Sequence, residues 1–213
     1  DLTNTNLKVA KCSTASCSSS TLYTLDSTGT VGLYTSITIG ADTFPIISYI
    51  DDTSYALKVA KCVDTSCSGA PTITTVDNTI TRTLEATSIV ISQNNNPIIS
   101  YQDRSGAFPY HKLAVCSNVS CTSSVNTITD TEGNNSTIRL GRDNIPIVSY
   151  SNGNAVKVLR CTDYACSSWT IKTLGEYALA PSMAIGMDGY PIISFYKGNS
   201  PDLKSLKVMK CTD

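Results

Sequence analysis

The strongest constraint on the fold is a six-residue string that recurs along the chain. LKVAKC occurs at positions 7–12 and again, letter for letter, at positions 57–62. Weaker copies, HKLAVC, VKVLRC and LKVMKC, end at Cys116, Cys161 and Cys211. The five cysteines that close these strings are 50, 54, 45 and 50 residues apart. A period near 50 residues indicates one supersecondary unit that is repeated along the chain.

Three other segments recur with the same period, so each full unit contains four short strands, which we label a to d. Strand a resembles SITIG, strand b PIISY, strand c LKVAKC and strand d TITTVD. These runs are rich in Ile, Val, Thr and Tyr and are separated by Gly, Asn, Asp and Pro, which is typical of β-strands and their turns. Proline opens strand b, where a missing N–H costs least.

The pattern within strand b predicts how the sheets pack. Ile46 points to one face of the strand, whereas Ile47 and Tyr49 point to the other, so the strand is apolar on both sides. A four-stranded sheet that is covered on both faces by copies of itself is the blade of a β-propeller. The sequence therefore predicts an all-β propeller of four-stranded blades of about 50 residues. A β-solenoid-like repeat array is the alternative.

The repeat predicts a single repeat-built domain over residues 1–213. We place a partial unit at 1–30, full units at about 31–77, 84–130 and 136–175, and a terminal partial unit at 180–213. This order contains five c strands but only four each of a, b and d. We expect the sequence to be a mature or excised segment, since it shows no signal peptide. It is then either a slice of a longer array or a subunit whose extra strand joins another copy.

The unit also resembles a known family. VGLYTSITIGADTFPIISYIDDTSYALKVAKCVDTSCSGAPTITTVD, at positions 31–77, is similar to the SIxIGxDGxPIISYxDxxxxxLKVAKCxxxxC units of bacterial secreted tandem-repeat proteins, which resemble sialidase-type (BNR-like) propeller repeats with an added cysteine pair. The resemblance covers essentially the whole chain and implies the fold but hardly an activity. The Asp-box of true sialidases is absent, so no catalytic residue is carried over.

Eight of the nine cysteines form C-x4-C pairs between strands c and d. Facing positions near the neck of a hairpin suit disulfide geometry, whereas zinc needs four ligands and each repeat offers two cysteines and no recurring histidine. Disulfides in every unit imply an oxidising compartment, hence a secreted or cell-surface protein. The ninth cysteine, Cys211, is predicted to remain a thiol or to form an intermolecular disulfide. The predicted pairs are Cys12–Cys17, Cys62–Cys67, Cys116–Cys121 and Cys161–Cys166.

The charges are balanced and scattered. With 16 basic and 17 acidic residues the net charge is −1, and no basic stripe or apolar span indicates nucleic-acid binding or membrane insertion. One lysine recurs in every c strand and is predicted to face solvent, where lysine discourages edge pairing. The expected partners are other copies or neighbouring repeats. These lysines are Lys8, Lys58, Lys112, Lys157 and Lys207.

No convergent catalytic set is evident, so we predict that the chain is not an enzyme. A Ser-His-Asp triad would have to use His111, the only histidine, which we expect in an exposed loop. Paired carboxylates of a glycosidase are the alternative, at Asp51 and Asp103, but the later units carry Asn152 and Lys197 there. No metal or cofactor is predicted, apart from a weak calcium signal in the loops YIDDTS and GADTF.

We therefore predict a non-enzymatic structural or adhesive element of a cell-surface protein or filament, with a glycan-binding lectin and a sialidase-like glycosidase as alternatives. Aromatic residues of the loops, Tyr55, Phe108, Tyr110 and Tyr164, are the candidates for a glycan-binding surface. The aromatics that end strand b are predicted to pack between blades. Three sequons are compatible with glycosylation, at Asn118, Asn134 and Asn135.

Overall fold

The computed structural model describes residues 3–81, 85–175, 177–198 and 205–212. Within them the chain is all-β, with 17 strands in five antiparallel sheets. The described residues include no helix long and apolar enough to cross a bilayer. The predicted all-β fold of repeated four-stranded blades is confirmed. The predicted unit boundary at residue 84 and the last residue, Asp213, lie outside the described residues.

The sheets follow one another along the chain, and each is a simple up-and-down meander. The N-terminal hairpin contains only strands c and d, and the C-terminal sheet contains only a, b and c. The hairpin consists of β1 (Leu7–Cys12) and β2 (Ser20–Asp26). Blade I consists of β3 (Val31–Ile39), β4 (Pro45–Asp51), β5 (Ala56–Lys61) and β6 (Thr72–Asp77). Blade II consists of β7 (Thr87–Ile91), β8 (Pro97–Asp103), β9 (Tyr110–Cys116) and β10 (Ser124–Asp130). Blade III consists of β11 (Asn134–Leu140), β12 (Pro146–Ser151), β13 (Val156–Cys161) and β14 (Trp169–Thr173). The C-terminal sheet consists of β15 (Ala178–Ile185), β16 (Pro191–Lys197) and β17 (Ser205–Lys210).

The a–b hairpins are built by a turn that the sequence repeats. In blade I the Asp42 carboxylate accepts a hydrogen bond from the Phe44 N–H (3.1 Å), and Thr43 between them has a φ of 69°. Proline at position 45 then starts strand b, paired with Ile39. An Asx turn with one left-handed residue is ordinary hairpin chemistry, and it fixes the register of strands a and b.

The sheets stack face to face, each on the next one along the chain. We call the face toward the following sheet the forward face and the other the rear face. The inner strand a of each blade also packs beside the a strand of the next, β3 on β7, β7 on β11 and β11 on β15. The forward face of blade I carries Ile46, Ile50, Leu57 and Val59, and it packs on Ile89, Ile99, Tyr101 and Ala114 of the rear face of blade II.

All four predicted disulfides are present, each closing a c–d hairpin with Cα atoms 4.8 to 5.0 Å apart. Six of these cysteines are buried in the blades, whereas Cys12 and Cys17 of the hairpin are exposed. Four disulfides in one small chain indicate an oxidising compartment.

Candidate functional site

A buried cluster of tyrosine, aspartate and lysine lies at the junction of blades I and II. Asp77 ends β6 of blade I, and its Oδ2 accepts hydrogen bonds from the Tyr101 hydroxyl (2.6 Å) and the Lys112 ammonium (2.5 Å) of blade II. Lys112 also pairs with Asp103 at 3.2 Å. Tyr101 and Lys112 face each other across β8 and β9, so one carboxylate from the preceding blade joins both strands.

The same junction cluster recurs on both sides of this one. Between the hairpin and blade I, the Tyr49 hydroxyl donates to Asp26 (2.7 Å), while Lys58 pairs with Asp51 (2.7 Å). Between blades II and III, Asp130 accepts from Tyr150 and from Lys157, each at 2.7 Å. The prediction that the c-strand lysines face solvent is therefore wrong for Lys58, Lys112 and Lys157, because each is drawn inward by an aspartate of the preceding unit; Lys8 and Lys207 are exposed.

Burial and pairing fix the charge states in these clusters. Burial alone would raise the pKa of Asp77, but hydrogen bonds from Lys112, Tyr101 and Thr79 hold it below its ordinary value of 3.8. The pKa values of Asp51 and Asp130 are lowered in the same way. Burial and the Asp77 carboxylate raise the pKa of Tyr101. The clusters are thus fixed ion pairs at neutral pH, which join blades rather than exchange protons.

The junction of blade III with the C-terminal sheet departs from this pattern. Gly175 stands where the preceding units have aspartate, and Phe195 stands where they have tyrosine. A second coupling is also lost, because the Ser48–Thr87 and Ser100–Ser136 hydroxyl pairs of the other junctions correspond to Ser149 and Pro181 here. Among the described residues, the buried Ser149 hydroxyl has no hydrogen-bond partner. Apolar packing remains at this junction, together with a hydrogen bond from the Thr137 hydroxyl to the Pro181 carbonyl oxygen (3.5 Å).

The same junction contains a cleft with a volume of about 800 Å³. Ile147, Val158, Leu174 and Met209 form the apolar part of its lining, and Thr170 and Lys172 also line it. Its rim carries the ion pairs Arg160–Asp143 and Lys210–Asp188. At the other two junctions, the apolar packing includes the second cysteine of the following blade. This residue is Cys121 at the I–II junction, and it is Cys166, together with Trp169, at the II–III junction. The cleft therefore lies where the d side of a complete fourth blade would pack.

The prediction that His111 lies in an exposed loop is wrong. It lies in β9 at the position of Leu7 and Leu57 and is buried. Its Nε2 is 2.9 Å from the Ser100 hydroxyl, its Nδ1 is bonded to the Thr129 hydroxyl, and its ring stacks on Tyr150 with centroids 4.4 Å apart. Burial lowers the pKa of His111 to about 3. Ser100 is also fully buried, so this Ser–His pair gives a substrate no access.

The predicted glycan-binding surface is divided between the two ends of the blades. Tyr55 lies in the b–c turn of blade I, and Phe108 and Tyr110 lie in and after the b–c loop of blade II. Tyr164 lies in the c–d loop of blade III, and in a meander the b–c and c–d turns are at opposite ends. Tyr55, Phe108 and Tyr164 are exposed, whereas Tyr110 is half-buried. The structure thus places three of the four at one end and separates Tyr164 from them.

The two carboxylates considered for a glycosidase, Asp51 and Asp103, lie in separate parts of the structure. Strands β3, β7, β11 and β15, which pack side by side as the inner strands, contain no Asp, Glu or His. Asp51 and Asp103 belong to different junction clusters. In the loops considered for calcium, Asp51 pairs with Lys58 and Asp42 with Lys61 at 2.8 Å, and no three acidic, His or Cys side chains gather among the described residues.

The three sequons differ in accessibility. Asn135 is exposed at a left-handed backbone position (φ 49°). The side chain of Asn118 caps its own C-x4-C loop by bonding Ser120 and Thr122. Asn134 is half-buried, where its oxygen accepts from Gln102. Of the three, Asn135 is the one that is exposed, whereas Asn118 and Asn134 are half-buried.

Both ends of the stack expose apolar side chains that are buried elsewhere. On β3, Ile37 is 55% and Ile39 57% exposed, whereas Ile89 at the position of Ile37 in blade II is 4% exposed. On β17, Leu206 is 76% and Val208 66% exposed, whereas their counterparts Leu57 and Val59 are fully buried. We call Ile37 and Ile39 the rear terminal face, and Leu206, Val208, Ile192 and Tyr196 the forward terminal face. Each presents one half of a blade junction.

Comparison with solved structures shows a similar fold in two bacterial proteins. A protein of unknown function from Dyadobacter fermentans DSM 18053 superposes with a TM-score of 0.61 and 9% identity, over 83% of this chain and 59% of its own. An alpha-L-arabinofuranosidase from Lactobacillus brevis superposes with a TM-score of 0.57 and 10% identity, over 98% of this chain and 84% of its own. The chain thus spans less than two thirds of the Dyadobacter protein. No protein-family model and no curated protein matches the sequence. At these identities the likeness shows the fold alone.

The sequence carries a signal for the junction cluster that our sequence reasoning missed. Strand d ends in aspartate at positions 26, 77 and 130. In each case strand b of the next unit carries a tyrosine and strand c of that unit carries a lysine. The aspartate and tyrosine disappear together at Gly175 and Phe195. Joint loss of two residues that are far apart in sequence indicates contact, and here the contact crosses from one unit to the next.

Proposed function

We propose that this chain is a non-enzymatic extracellular element, structural or adhesive, of a cell-surface protein or filament. The observation that carries the proposal is the pair of terminal faces, since an exposed apolar patch at a position that is an interface elsewhere in the same fold marks an interaction site. Repeat proteins bury such faces by adding further units. The disulfides suit an element that persists outside the cell.

The arrangement of the ionisable groups supports a role without catalysis. The carboxylates of the junction clusters are paired with lysine, and the single histidine is neutral and enclosed. A general acid or base needs a pKa near the working pH and access to substrate. The likeness in fold to an arabinofuranosidase provides neither a group with such a pKa nor access of substrate to one.

Two measurements on the intact chain test the proposal together. Light scattering after size-exclusion chromatography is expected to show species heavier than one 22.7 kDa chain. Assays against a panel of aryl glycosides are expected to show no turnover above a heat-inactivated sample. Turnover would overturn the proposal in favour of a glycosidase. Glycan-array binding that is lost in Phe108→Ala would instead establish a lectin.

A further inference from the structure

The forward face of blade II is polar at three positions where blade I is apolar. The three side chains lie next to one another on strands b, c and d, and all of them are buried. The polar row, as we call this set, consists of Gln102, His111 and Thr129. The residues at the same positions of blade I, which belong to the apolar cluster of the I–II junction, are Ile50, Leu57 and Val76. No other unit is polar at more than one of these positions, so the row distinguishes blade II from all of them.

The rear face of blade III provides polar partners for this region. The Gln102 side-chain nitrogen donates a hydrogen bond to the Asn134 side-chain oxygen at 2.5 Å. Beside it, the Ser100 hydroxyl of β8 donates to the Ser136 hydroxyl at 2.6 Å. Gln102 is 1% and Ser100 0% exposed, so water does not compete for either bond. Blade II is thus joined to blade III through two buried polar contacts, in addition to the cluster around Asp130.

The imidazole of His111 is fitted to the same pair of blades. Because Ser100 gives its proton to blade III, the His111 Nε2 donates to Ser100, and the neutral ring accepts at Nδ1 from the Thr129 hydroxyl. The other contacts of the ring are made by blade III, whose Tyr150 stacks on it with centroids 4.4 Å apart. A Cβ atom at Gly133 would lie 2.5 Å from the His111 Cβ, so blade III also has to be small at this point.

The rear faces of the other units do not offer the partner that Gln102 has in Asn134. The residues at the position of Asn134 in those units are Leu33, Glu85 and Leu179. Glu85 is already paired with Arg104 of its own blade at 2.8 Å. Against a leucine, Gln102 would be buried with neither end of its amide bonded, which costs free energy. The Asp–Tyr–Lys clusters cannot make this distinction, because they recur at three junctions.

We propose that the polar row selects the partner of blade II, so that its forward face binds the rear face of blade III in preference to the rear faces of the other units. Similar units in one chain are prone to dock on the wrong neighbour while they fold, and strand b begins with PIISY in both blade I and blade II. An unpaired buried polar group is a penalty that a wrong neighbour incurs and the right one avoids. The selection concerns the order of the blades within one chain and is independent of how copies of the chain associate.

Selection explains the polar row better than stability does. Among the described residues, the buried side-chain oxygen of Gln102 has no hydrogen-bond partner, so the row is not fully satisfied even in the correct junction. Apolar side chains of similar volume are often as stable as a buried polar set, or more stable. Blade I shows that this chain forms a junction with apolar residues at the same three positions.

Matched and mismatched residues at positions 102 and 134 test the selection in the intact chain. Asn134→Leu gives blade III the residue of blade I and leaves Gln102 unpaired, so it is expected to lower the urea midpoint. Gln102→Ile should lower it less, because the half-buried Asn134 can turn to water. The two changes together should return the midpoint to the wild-type value or above it. Effects that simply add, or a double variant as unstable as Asn134→Leu, would overturn the proposal.

Refolding kinetics test the consequence for blade order. Trp169, the only tryptophan, packs on the apolar cluster of the II–III junction, so its fluorescence reports the docking of blade III. The chain, with its disulfides intact, is unfolded too briefly for its prolines to isomerise and is then refolded at low concentration. The variant Gln102→Ile, His111→Leu and Thr129→Val is expected to increase the amplitude of the slow refolding phase at least about threefold, because wrongly docked blades must first separate. The increase should not depend on protein concentration.

The matched control is Ser151→Ile, which makes the same kind of change at the position of Gln102 in blade III. Ser151 is buried on a forward face that has no polar row, so the slow phase should remain as in the wild type. An equal increase in the control would show that any added apolar surface slows refolding, and it would overturn the proposal. Wild-type kinetics in the triple variant would overturn it as well. Either result leaves the association of copies, and hence the proposed function, in place.

Discussion

The I–II junction and the junction of blade III with the C-terminal sheet are built from equivalent strands but held differently. The first joins its blades through Asp77, Tyr101 and Lys112 in addition to apolar packing. The second packs Ile147 and Val156 on Ile193 and Phe195 with no such cluster. A sheet is thus docked without a Tyr–Asp–Lys cluster, while the buried ion pairs of the other junctions fix one arrangement, because each carboxylate is satisfied at only one position.

At the last junction two members of the cluster are missing together, rather than one. Removing one partner of a buried ion pair leaves an uncompensated charge, which costs more than the pair contributes. At the last junction both the aspartate and the tyrosine are replaced, and Lys207 is exposed, so no charge is left buried. Movement of the C-terminal sheet relative to blade III therefore breaks no cluster of the Asp–Tyr–Lys kind.

The largest expected effect comes from the same substitution at equivalent positions of the two junctions. Lys112→Met leaves the Asp77 and Asp103 carboxylates buried without their cation and should lower the free energy of unfolding by about 3–5 kcal/mol. Lys207→Met should change it by less than about 0.5 kcal/mol. Urea denaturation at pH 7 measures both values. Similar losses in the two variants would show that the ion pairs do not distinguish the junctions.

The buried disulfide of blade II should contribute more to stability than the exposed disulfide of the N-terminal hairpin. Replacing both Cys116 and Cys121 by alanine should cost about 2–4 kcal/mol, from the loop constraint and the lost packing of two buried sulfurs. Replacing both Cys12 and Cys17 should cost less, because these side chains are exposed and their hairpin is terminal. Thermal denaturation of the two double variants gives the difference. Under native conditions a mild reductant should open Cys12–Cys17 first, and earlier reduction of Cys116–Cys121 would contradict this order.

His111 gives the II–III junction a dependence on pH that the other junctions lack. Its pKa is about 3 in the folded chain against 6.5 for an unperturbed histidine, so between these values the unfolded chain binds one more proton. Stability therefore falls as the pH is lowered below 6.5, by about 2 kcal/mol at pH 5. Aspartates with lowered pKa values lose their contribution only below 3.8, outside this range.

The matching variant is His111→Leu, which installs the residue found at this position in β1 and β5. Its unfolding free energy should be nearly constant between pH 5 and 7, because the chain has no other histidine. Denaturation at several pH values measures both proteins. The same slope in the variant would assign the dependence to another group.

Sequence reasoning succeeded where one unit carries the whole signal. Cysteine spacing predicted the disulfides, and the proline and Asx turns predicted the a–b hairpins, because both partners lie within a few residues of each other. It failed for Lys112, whose partner Asp77 lies 35 residues earlier in the preceding unit. For His111 the information was present, since HKLAVC aligned on LKVAKC puts the imidazole at a leucine position. In a repeat protein, the position of a residue within the unit predicts its burial better than the residue type does.

The smallest expected effect comes from rebuilding the missing cluster at the last junction. Phe195→Tyr alone places a buried hydroxyl without an acceptor, and Gly175→Asp alone places a carboxylate near Lys207, which faces position 195 across β16 and β17. Together they should interact favourably by about 1 kcal/mol in a double-mutant cycle. The φ of +72° at Gly175 limits the gain, since aspartate tolerates this conformation less well than glycine. Hydrogen exchange of the β16 amides measures the local opening free energy of the four proteins. A coupling near zero would mean that the cluster depends on a blade geometry that the C-terminal sheet does not share.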